Sequence, residues 1–189
     1  MNRVSQSGKA GLRSAACVTF SAFALLLVGG CGDRSETAVA ESARPPEVQY
    51  GSKITFGKGG NSEPHKKNGW SPTEEKFTWT EGSSARLEIP VPASNEPVTL
   101  KMRIAALIKP PELPFQPVEV SINDQKIADW QVAETSEFAA RVPPELTKQS
   151  GVLKIEIKTP KATSPKTLGI SADPRVLGAC VLELQLAKE

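Results

Sequence analysis

Histidine and cysteine, which supply most catalytic bases and many metal ligands, are almost absent from the 189 residues. There is one histidine, His65, and there are three cysteines, Cys17, Cys31 and Cys180. A hydrolase triad needs a base beside its nucleophile, but His65 stands before two lysines and the chain has no Gly-x-Ser-x-Gly motif. We interpret His65 as a solvated loop side chain. We predict no catalytic residue, no metal site and no cofactor.

The chain also lacks an excess of charge once its N-terminal segment is set aside. It has 23 basic and 21 acidic residues, and residues 1–30 carry three of the basic residues and none of the acidic ones. The remaining chain therefore has 20 basic and 21 acidic residues. This balance gives no overall field that would attract a polyanion, so we predict no nucleic-acid partner.

No apolar run is long enough to span a membrane. The longest, from about Ala15 to Gly30, is interrupted by Thr19 and Ser21, whereas a spanning helix needs roughly 20 apolar residues. Three basic residues precede the run and small residues end it, which is the layout of a secretion signal. We therefore predict that residues 1–30 form a cleaved signal peptide.

The end of this signal, Val28-Gly29-Gly30-Cys31, resembles the lipobox of bacterial lipoproteins. The resemblance implies that Cys31 receives a diacylglycerol and a further acyl chain such as palmitate, which anchors the protein in a membrane. The alternative is an ordinary signal peptide with Cys31 as a bystander. Gly32 is not the aspartate that favours inner-membrane retention in Gram-negative lipoproteins, so we favour the periplasmic side of the outer membrane in a cell with two membranes.

Residues 31–48 are small and polar with a proline pair, and we interpret them as the lipidated N-terminus and a flexible tether. Residues 49–189 are enough for one domain with its own core. Cys180 would then be the one cysteine of the folded part, so no internal disulfide is expected. Period-2 alternation predicts that Cys180 shares a buried face with Leu182, Leu184 and Leu186.

Alternation of apolar and polar residues dominates the domain, while sustained helical periodicity is missing. Asn123-Asp124, between two alternating runs, suits a two-residue hairpin turn. Prolines stand between the runs, where a missing N–H costs little. The pattern predicts an all-β fold, a two-layer antiparallel β-sandwich of jelly-roll type, with an immunoglobulin-like strand order as the alternative. The runs include 85–91, 100–108, 118–122, 138–142, 153–157 and 179–186.

The three tryptophans are the best indication of a binding surface, since aromatic faces can stack on sugar rings. Trp79 alternates with Phe77, and Trp130 alternates with apolar neighbours, so we assign both tryptophans to the core. Trp70 lies in a loop without a periodic partner and is our first candidate for a ligand platform. The alternative is a loop indole that packs over the edge of the sandwich.

Three motifs together resemble jelly-roll modules of bacterial proteins of cell-surface polysaccharide synthesis, which are often appended to glycosyltransferases. The motifs are Gly69-Trp70-Ser71-x-x-Glu74-x-x-Phe77-x-Trp79-Thr80-x-Gly82, Ala85-x-Leu87-x-Ile89 and Asp173-Pro174-Arg175-x-Leu177-Gly178. The resemblance implies a carbohydrate-binding-like sandwich without catalytic machinery, with matched positions at Trp70, Glu74, Trp79, Asp173 and Arg175. From charge alone, Arg175 can pair with Glu74 and join two motifs that are distant in the chain.

These features favour a noncatalytic envelope lipoprotein that binds glycan or supports a cell-surface polysaccharide system, with Trp70, Glu74 and Arg175 as candidate ligand-binding residues. A structural module that binds an envelope protein is the second hypothesis. A hydrolase is the third, because carboxylates that are distant in the chain can still form an active site.

Overall fold

The computed structural model of the protein describes residues 44–149 and 151–189. The predicted signal peptide, Cys31 and most of the predicted tether lie outside these residues. Within them, no helix has both the length and the apolar character needed to cross a bilayer.

Nine β-strands make up the regular structure of the described residues, and two short 3-10 turns, Glu63–His65 and Pro144–Leu146, are the helical elements among them. The strands are β1 (Lys53–Thr55), β2 (Thr78–Glu81), β3 (Ser84–Val91), β4 (Val98–Ala106), β5 (Gln116–Ile122), β6 (Gln125–Val132), β7 (Ser136–Val142), β8 (Gly151–Lys158) and β9 (Leu177–Lys188).

The strands form two antiparallel sheets. In the five-stranded sheet, β1 and β2 both pair with one side of β9, and β4 and then β7 follow on its other side; the four-stranded sheet has the order β3-β8-β5-β6. Thus β2 pairs with β9, β3 with β8, β4 with β7 and β5 with β6. From β2 onward the chain is one long hairpin rolled into two sheets, which is a jelly roll and not an immunoglobulin-like order. The predicted all-β fold, a two-layer antiparallel β-sandwich of jelly-roll type, is confirmed.

The core lies between the sheets and is built from the alternating residues that the sequence indicates. Burying each large aliphatic side chain contributes roughly 1.5–3 kcal/mol, so the facing rows of the two sheets stabilise the sandwich. The largest fully buried side chains are Phe56, Ile54, Leu87, Ile89, Leu100, Met102, Ile104, Ile122, Leu153, Ile155, Ile157 and Leu184.

The predicted tight hairpin occurs between β5 and β6. Asn123 and Asp124 have φ angles of 48° and 66°, in the left-handed region that these two residue types tolerate best after glycine. Ile122 and Gln125 pair across the turn. The side chain of Asn123 also accepts a hydrogen bond from the main-chain N–H of Lys154 at 2.9 Å, which ties the turn to β8.

The N-terminal boundary of the domain lies slightly before the predicted one. The main-chain N–H of Val48 donates to the carbonyl oxygen of Pro90 at 2.8 Å, and Val48 and Tyr50 pack against the core. The hydroxyl of Tyr50 donates to the carbonyl oxygen of Pro92 at 3.0 Å. Val48 therefore belongs to the domain and not to the tether.

Cys180 is buried, but it does not face the core as predicted. Ala179 and Val181 face the core, and so do Leu184 and Leu186. This requires a change of phase within β9, and the pairing of β9 with β4 does shift register between Val181 and Glu183. A β-bulge of this kind reverses the faces of the residues on either side. Cys180 consequently lies on the outer face of the five-stranded sheet.

Candidate ligand-binding face

Trp70 is held as a packing residue at the edge of the sandwich. Its ring lies 5.3 Å from that of Phe56, between centroids, and its Nε1–H donates to the carbonyl oxygen of Arg86 at 2.8 Å. Gly69 permits this path, since its φ is +83° and a side chain there would collide with the carbonyl of Ser84. The half-buried indole also packs against the core, which matches the alternative that we gave for this residue.

Glu74 and Arg175 are brought together as their charges suggested. Nη2 of Arg175 lies 3.8 Å from Oε1 of Glu74 and 2.7 Å from Oδ2 of Asp173. Oδ1 of Asp173 also accepts from the main-chain N–H of Arg175 at 2.9 Å. Hydrogen bonds from Arg175 hold the pKa of the Asp173 carboxyl below its usual range. The turn before β9 is thereby joined to the segment that leads into β2.

Trp79 faces away from the core, so the core position predicted for it is wrong. The buried residues of β2 are Thr78 and Thr80, and Thr78 Oγ1 donates to the carbonyl oxygen of Phe56 at 2.7 Å. Since side chains alternate along a strand, Trp79 points outward, as does Phe77. Their rings are nearly perpendicular, at 81°, with centroids 5.7 Å apart, and both are half-buried.

Small side chains lie beside Trp79 on the same outer face. Trp79 pairs with Cys180 of β9, which in turn pairs with Ala105 of β4. Burial, together with the negative charge of nearby Glu74, raises the pKa of the Cys180 thiol to about 11. Glu74 and Trp79 therefore both lie close to Cys180. We call Glu74, Phe77, Trp79, Ala105 and Arg175 the aromatic patch.

A shallow groove of about 470 Å³ lies next to the aromatic patch on the five-stranded sheet. One wall is the loop Gly57–Gly60, which is braced by a hydrogen bond from Gly60 N–H to the carbonyl oxygen of Gly57 at 2.9 Å. Asn61 anchors the end of this loop by accepting from the main-chain N–H of Thr55 at 2.8 Å. The groove is also lined by Glu75, Lys76, Arg103, Leu182 and Glu183.

His65 is not the solvated side chain that the sequence suggested. Its 3-10 turn places the imidazole against β3, where it is 2% exposed and its Nδ1 lies 3.3 Å from the carbonyl oxygen of Glu88. Burial lowers the pKa of His65 because it penalises the charged form. Its hydrogen-bond partner is thus a main-chain carbonyl and not a serine or carboxylate.

In the part of the chain that the structure describes, no group of three or more His, Cys, Asp or Glu side chains is arranged to hold a metal ion. The side chains of the aromatic patch offer hydrophobic contact and hydrogen bonding from charged groups.

Trp130 packs against the core, as predicted, but at the margin of the sandwich. Its ring stacks on Phe138 of β7 with centroids 5.3 Å apart and an interplanar angle of 30°. Trp130 is on the outermost strand of the four-stranded sheet and Phe138 on the outermost strand of the other. The pair therefore closes the gap between the two sheet edges, while Trp79 is the tryptophan that faces outward from a sheet.

No protein-family model and no curated protein sequence matches the chain. Solved structures similar to it include a family 6 carbohydrate-binding module from Clostridium stercorarium in complex with cellobiose, at 9% identity and a TM-score of 0.45, with 76% of this chain and 98% of that one covered. Another is the CBM36-1 domain of a multidomain xylanase from the hindgut metagenome of Trinervitermes trinervoides, at 9% identity and a TM-score of 0.43, covering 73% and 97%. The Cry4Aa toxin from Bacillus thuringiensis is similar at 6% identity and a TM-score of 0.43, covering 76% of this chain and 24% of the toxin.

Proposed function

We propose that this protein is a noncatalytic, lipid-anchored envelope protein whose β-sandwich binds glycan at the aromatic patch. The observation that carries the proposal is the outward-facing Phe77–Trp79 pair beside the Glu74–Arg175 ion pair. A sugar ring has an apolar C–H face and a rim of hydroxyl groups. The aromatic rings can stack on the C–H face, and the carboxylate and guanidinium can hydrogen-bond to the hydroxyl groups.

The geometry of the patch favours binding over catalysis. Arg175 is already oriented by three hydrogen bonds to the side chain of Asp173, so little side-chain entropy is lost when a ligand hydroxyl contacts it. Cys180 and Ala105, the neighbours of Trp79 across this face, have small side chains. The thiol of Cys180 is a poor nucleophile with its raised pKa.

The proposal is tested with the fragment 40–189, which contains both sheets and the whole described core. Its migration is measured in native gels that contain single polysaccharides. Trp79→Ala removes one aromatic surface and is expected to weaken binding about tenfold or more. Trp70→Phe is the matched control, since it keeps an aromatic ring against Phe56 and is expected to bind normally. Retention lost in Trp70→Phe but kept in Trp79→Ala would move the site to the Trp70 loop.

A second function, binding to an envelope protein, is favoured by apolar side chains on the loop before β9. Ile170 and Val176 are 49% and 44% exposed, which is high for residues of this size. Val176 lies at the edge of the aromatic patch, next to Arg175. Crosslinking in the native envelope distinguishes the two functions, because a single protein adduct at position 176 with no glycan retention would favour the protein partner.

The lipid anchor at Cys31 and the outer-membrane location rest on the sequence. Twelve residues lie between Cys31 and Arg44, the first described residue, so the domain can reach at most about 45 Å from the anchor. We expect metabolic labelling with palmitate in the full-length protein and none in Cys31→Ala. Membrane fractionation tests the location, and Gly32→Asp is expected to shift the protein to the inner membrane of a cell with two membranes.

A further inference from the structure

We propose that the glycan bound by this protein is acidic, with carboxylate groups that are read by Arg103, Lys101 and Lys76 on the outer face of the five-stranded sheet. This inference rests on the proposed function and adds the chemical class of the ligand. It concerns a surface that extends from the aromatic patch across β9 to β4.

The three cations share one side of the five-stranded sheet. Lys101 and Arg103 alternate on β4 with Met102, which is fully buried in the core, so both point outward. Ala105, of the aromatic patch, is the next outward residue of β4. Lys76 immediately precedes Phe77 and lines the groove together with Arg103. The cations and the aromatic rings therefore form one continuous surface.

The carboxylates that line the groove already have partners. Lys53 binds Glu183 at 3.0 Å, and Lys58 binds Glu75. By contrast, none of Lys76, Lys101 and Arg103 forms an ion pair with another of the described residues. The groove is thus left with cations whose charge is available to a ligand.

The in-register neighbours of Lys101 support the same conclusion, whereas those of Arg103 are acidic. Lys101 pairs with Gln185 on one side and Ala139 on the other, both uncharged. Arg103 lies between two glutamates, Glu137 on β7 and Glu183 on β9. Neither comes within ion-pair distance of Arg103, and Glu183 already has a lysine partner. Glu137 forms no ion pair with another of the described residues, and its single negative charge offsets only one of the three positive charges. A carboxylate of the ligand can accept two parallel hydrogen bonds from the guanidinium of Arg103.

The size of the surface sets the length of the ligand. Trp79 and Arg103 are two strands and about two residues apart, which corresponds to roughly 12 Å at ordinary strand and residue spacings. A single sugar ring is too short to reach both. The ligand that fits is an oligosaccharide or polysaccharide whose apolar ring faces lie on the aromatic patch and whose carboxylates lie over β4.

The test compares polygalacturonate with the same polymer after complete methyl esterification, which removes the charge and keeps the sugar backbone. The fragment 40–189 is expected to bind the acidic polymer at least tenfold more tightly in low salt, with the preference reduced at 1 M salt, where the Debye length is about 3 Å. Arg103→Gln is expected to weaken acidic binding about tenfold, which corresponds to one charge-assisted hydrogen bond. Its thermal unfolding checks that the fold is retained.

Lys154→Gln is the matched control, because Lys154 is an exposed strand lysine of the four-stranded sheet that forms no ion pair among the described residues. Equal binding of the two polymers, or equal losses in Arg103→Gln and Lys154→Gln, would overturn the inference. If Trp79→Ala then still abolishes binding, the glycan-binding function stands and only the acidic preference fails. If the unaltered fragment binds neither polymer nor any neutral glycan, the proposed function itself fails.

Discussion

The outer faces of the two sheets use charge differently. On the four-stranded sheet, Arg86 binds Glu156 at 3.0 Å, Lys158 binds the same carboxylate at 3.5 Å, and Lys126 binds Asp129 at 2.7 Å. On the five-stranded sheet, Lys53 binds Glu183, but Lys101 and Arg103 in the middle of β4 form no ion pair with another of the described residues. Paired charges satisfy each other within the protein, whereas unpaired charges next to exposed aromatic rings are available to a ligand.

The two tryptophans around β2 differ in the same way: one is satisfied by contacts within the protein, and the other is available to a ligand. The ring of Trp70 packs against Phe56, and its N–H donates to a main-chain carbonyl. Trp79, by contrast, has part of its ring exposed on the outer face. The residue that first attracts notice as an isolated loop aromatic is therefore the structural one. The residue that alternates regularly in a strand is the better candidate for binding.

The substitution Trp70→Ala is the strongest test of the structural role assigned to Trp70. We expect it to lower the free energy of unfolding by about 3 kcal/mol, at the low end for truncation of a large aromatic because the indole is only half-buried. Trp79→Ala should cost less than half as much. Chemical denaturation of both variants measures the difference. A larger loss in Trp79→Ala would show that the outward-facing indole is the structural one.

A smaller effect is expected from the charges of the two outer faces. Arg86→Gln leaves Glu156, whose side chain is 16% exposed, without its guanidinium partner, and should cost about 1 kcal/mol. Arg103→Gln should change stability by less than about 0.5 kcal/mol, because no ion pair is lost. Denaturation midpoints of the two variants give the comparison, and equal losses would remove the distinction between the faces.

The buried His65, which packs against β3, predicts that the free energy of unfolding depends on pH. Its pKa is lowered from 6.5 in the folded state, so below about pH 6.5 the unfolded chain takes up a proton that the folded chain resists. The free energy of unfolding should fall as the pH drops from 6.5 toward 5, and His65 should have no effect above this range. His65→Gln should flatten the profile, and an unchanged slope in this variant would contradict the assignment, since the sequence has no second histidine.

The smallest predicted signal concerns Cys180 beneath the aromatic patch. With a pKa of about 11, about one thiol in a thousand is ionised at pH 8. We expect negligible reaction of the folded fragment with a thiol-specific chromogenic disulfide and full reaction in denaturant. Trp79→Ala should speed the reaction of the folded state, because it uncovers the thiol. Rapid reaction of the unaltered fragment would show that Cys180 is open to solvent.

The sequence allowed the strands and the sandwich to be predicted because alternation is a local property. Leu87 and Ile89 of β3, and Val118 and Val120 of β5, are buried as their spacing indicated. The Asn123-Asp124 turn was predicted for a similar reason, since few residue types adopt a positive φ at two successive positions. The jelly-roll strand order results when these strands pair from the two ends of the domain inward, β2 with β9 and β3 with β8.

The candidate site was harder to predict because period 2 shows which residues share a face and not which face is buried. Phe77 and Trp79 do share a face, but Thr78 and Thr80 occupy the core, where the main chain of Phe56 and of Ala179 satisfies their hydroxyls. The misplacement of Cys180 has a different cause. It results from a β-bulge in β9, for which the neighbouring sequence contains no distinctive turn residue.

The rolled hairpin has a consequence for when the protein can act. The aromatic patch combines Glu74, Phe77 and Trp79 from the first part of the domain with Arg175 from its last part, and β9 is the strand that joins them. A nascent or truncated chain that lacks β9 has neither the patch nor the middle of the five-stranded sheet. Ligand retention would therefore report that β9 has been synthesised and has paired in the sheet, and a deletion of β9 would abolish recognition and structure in a single step.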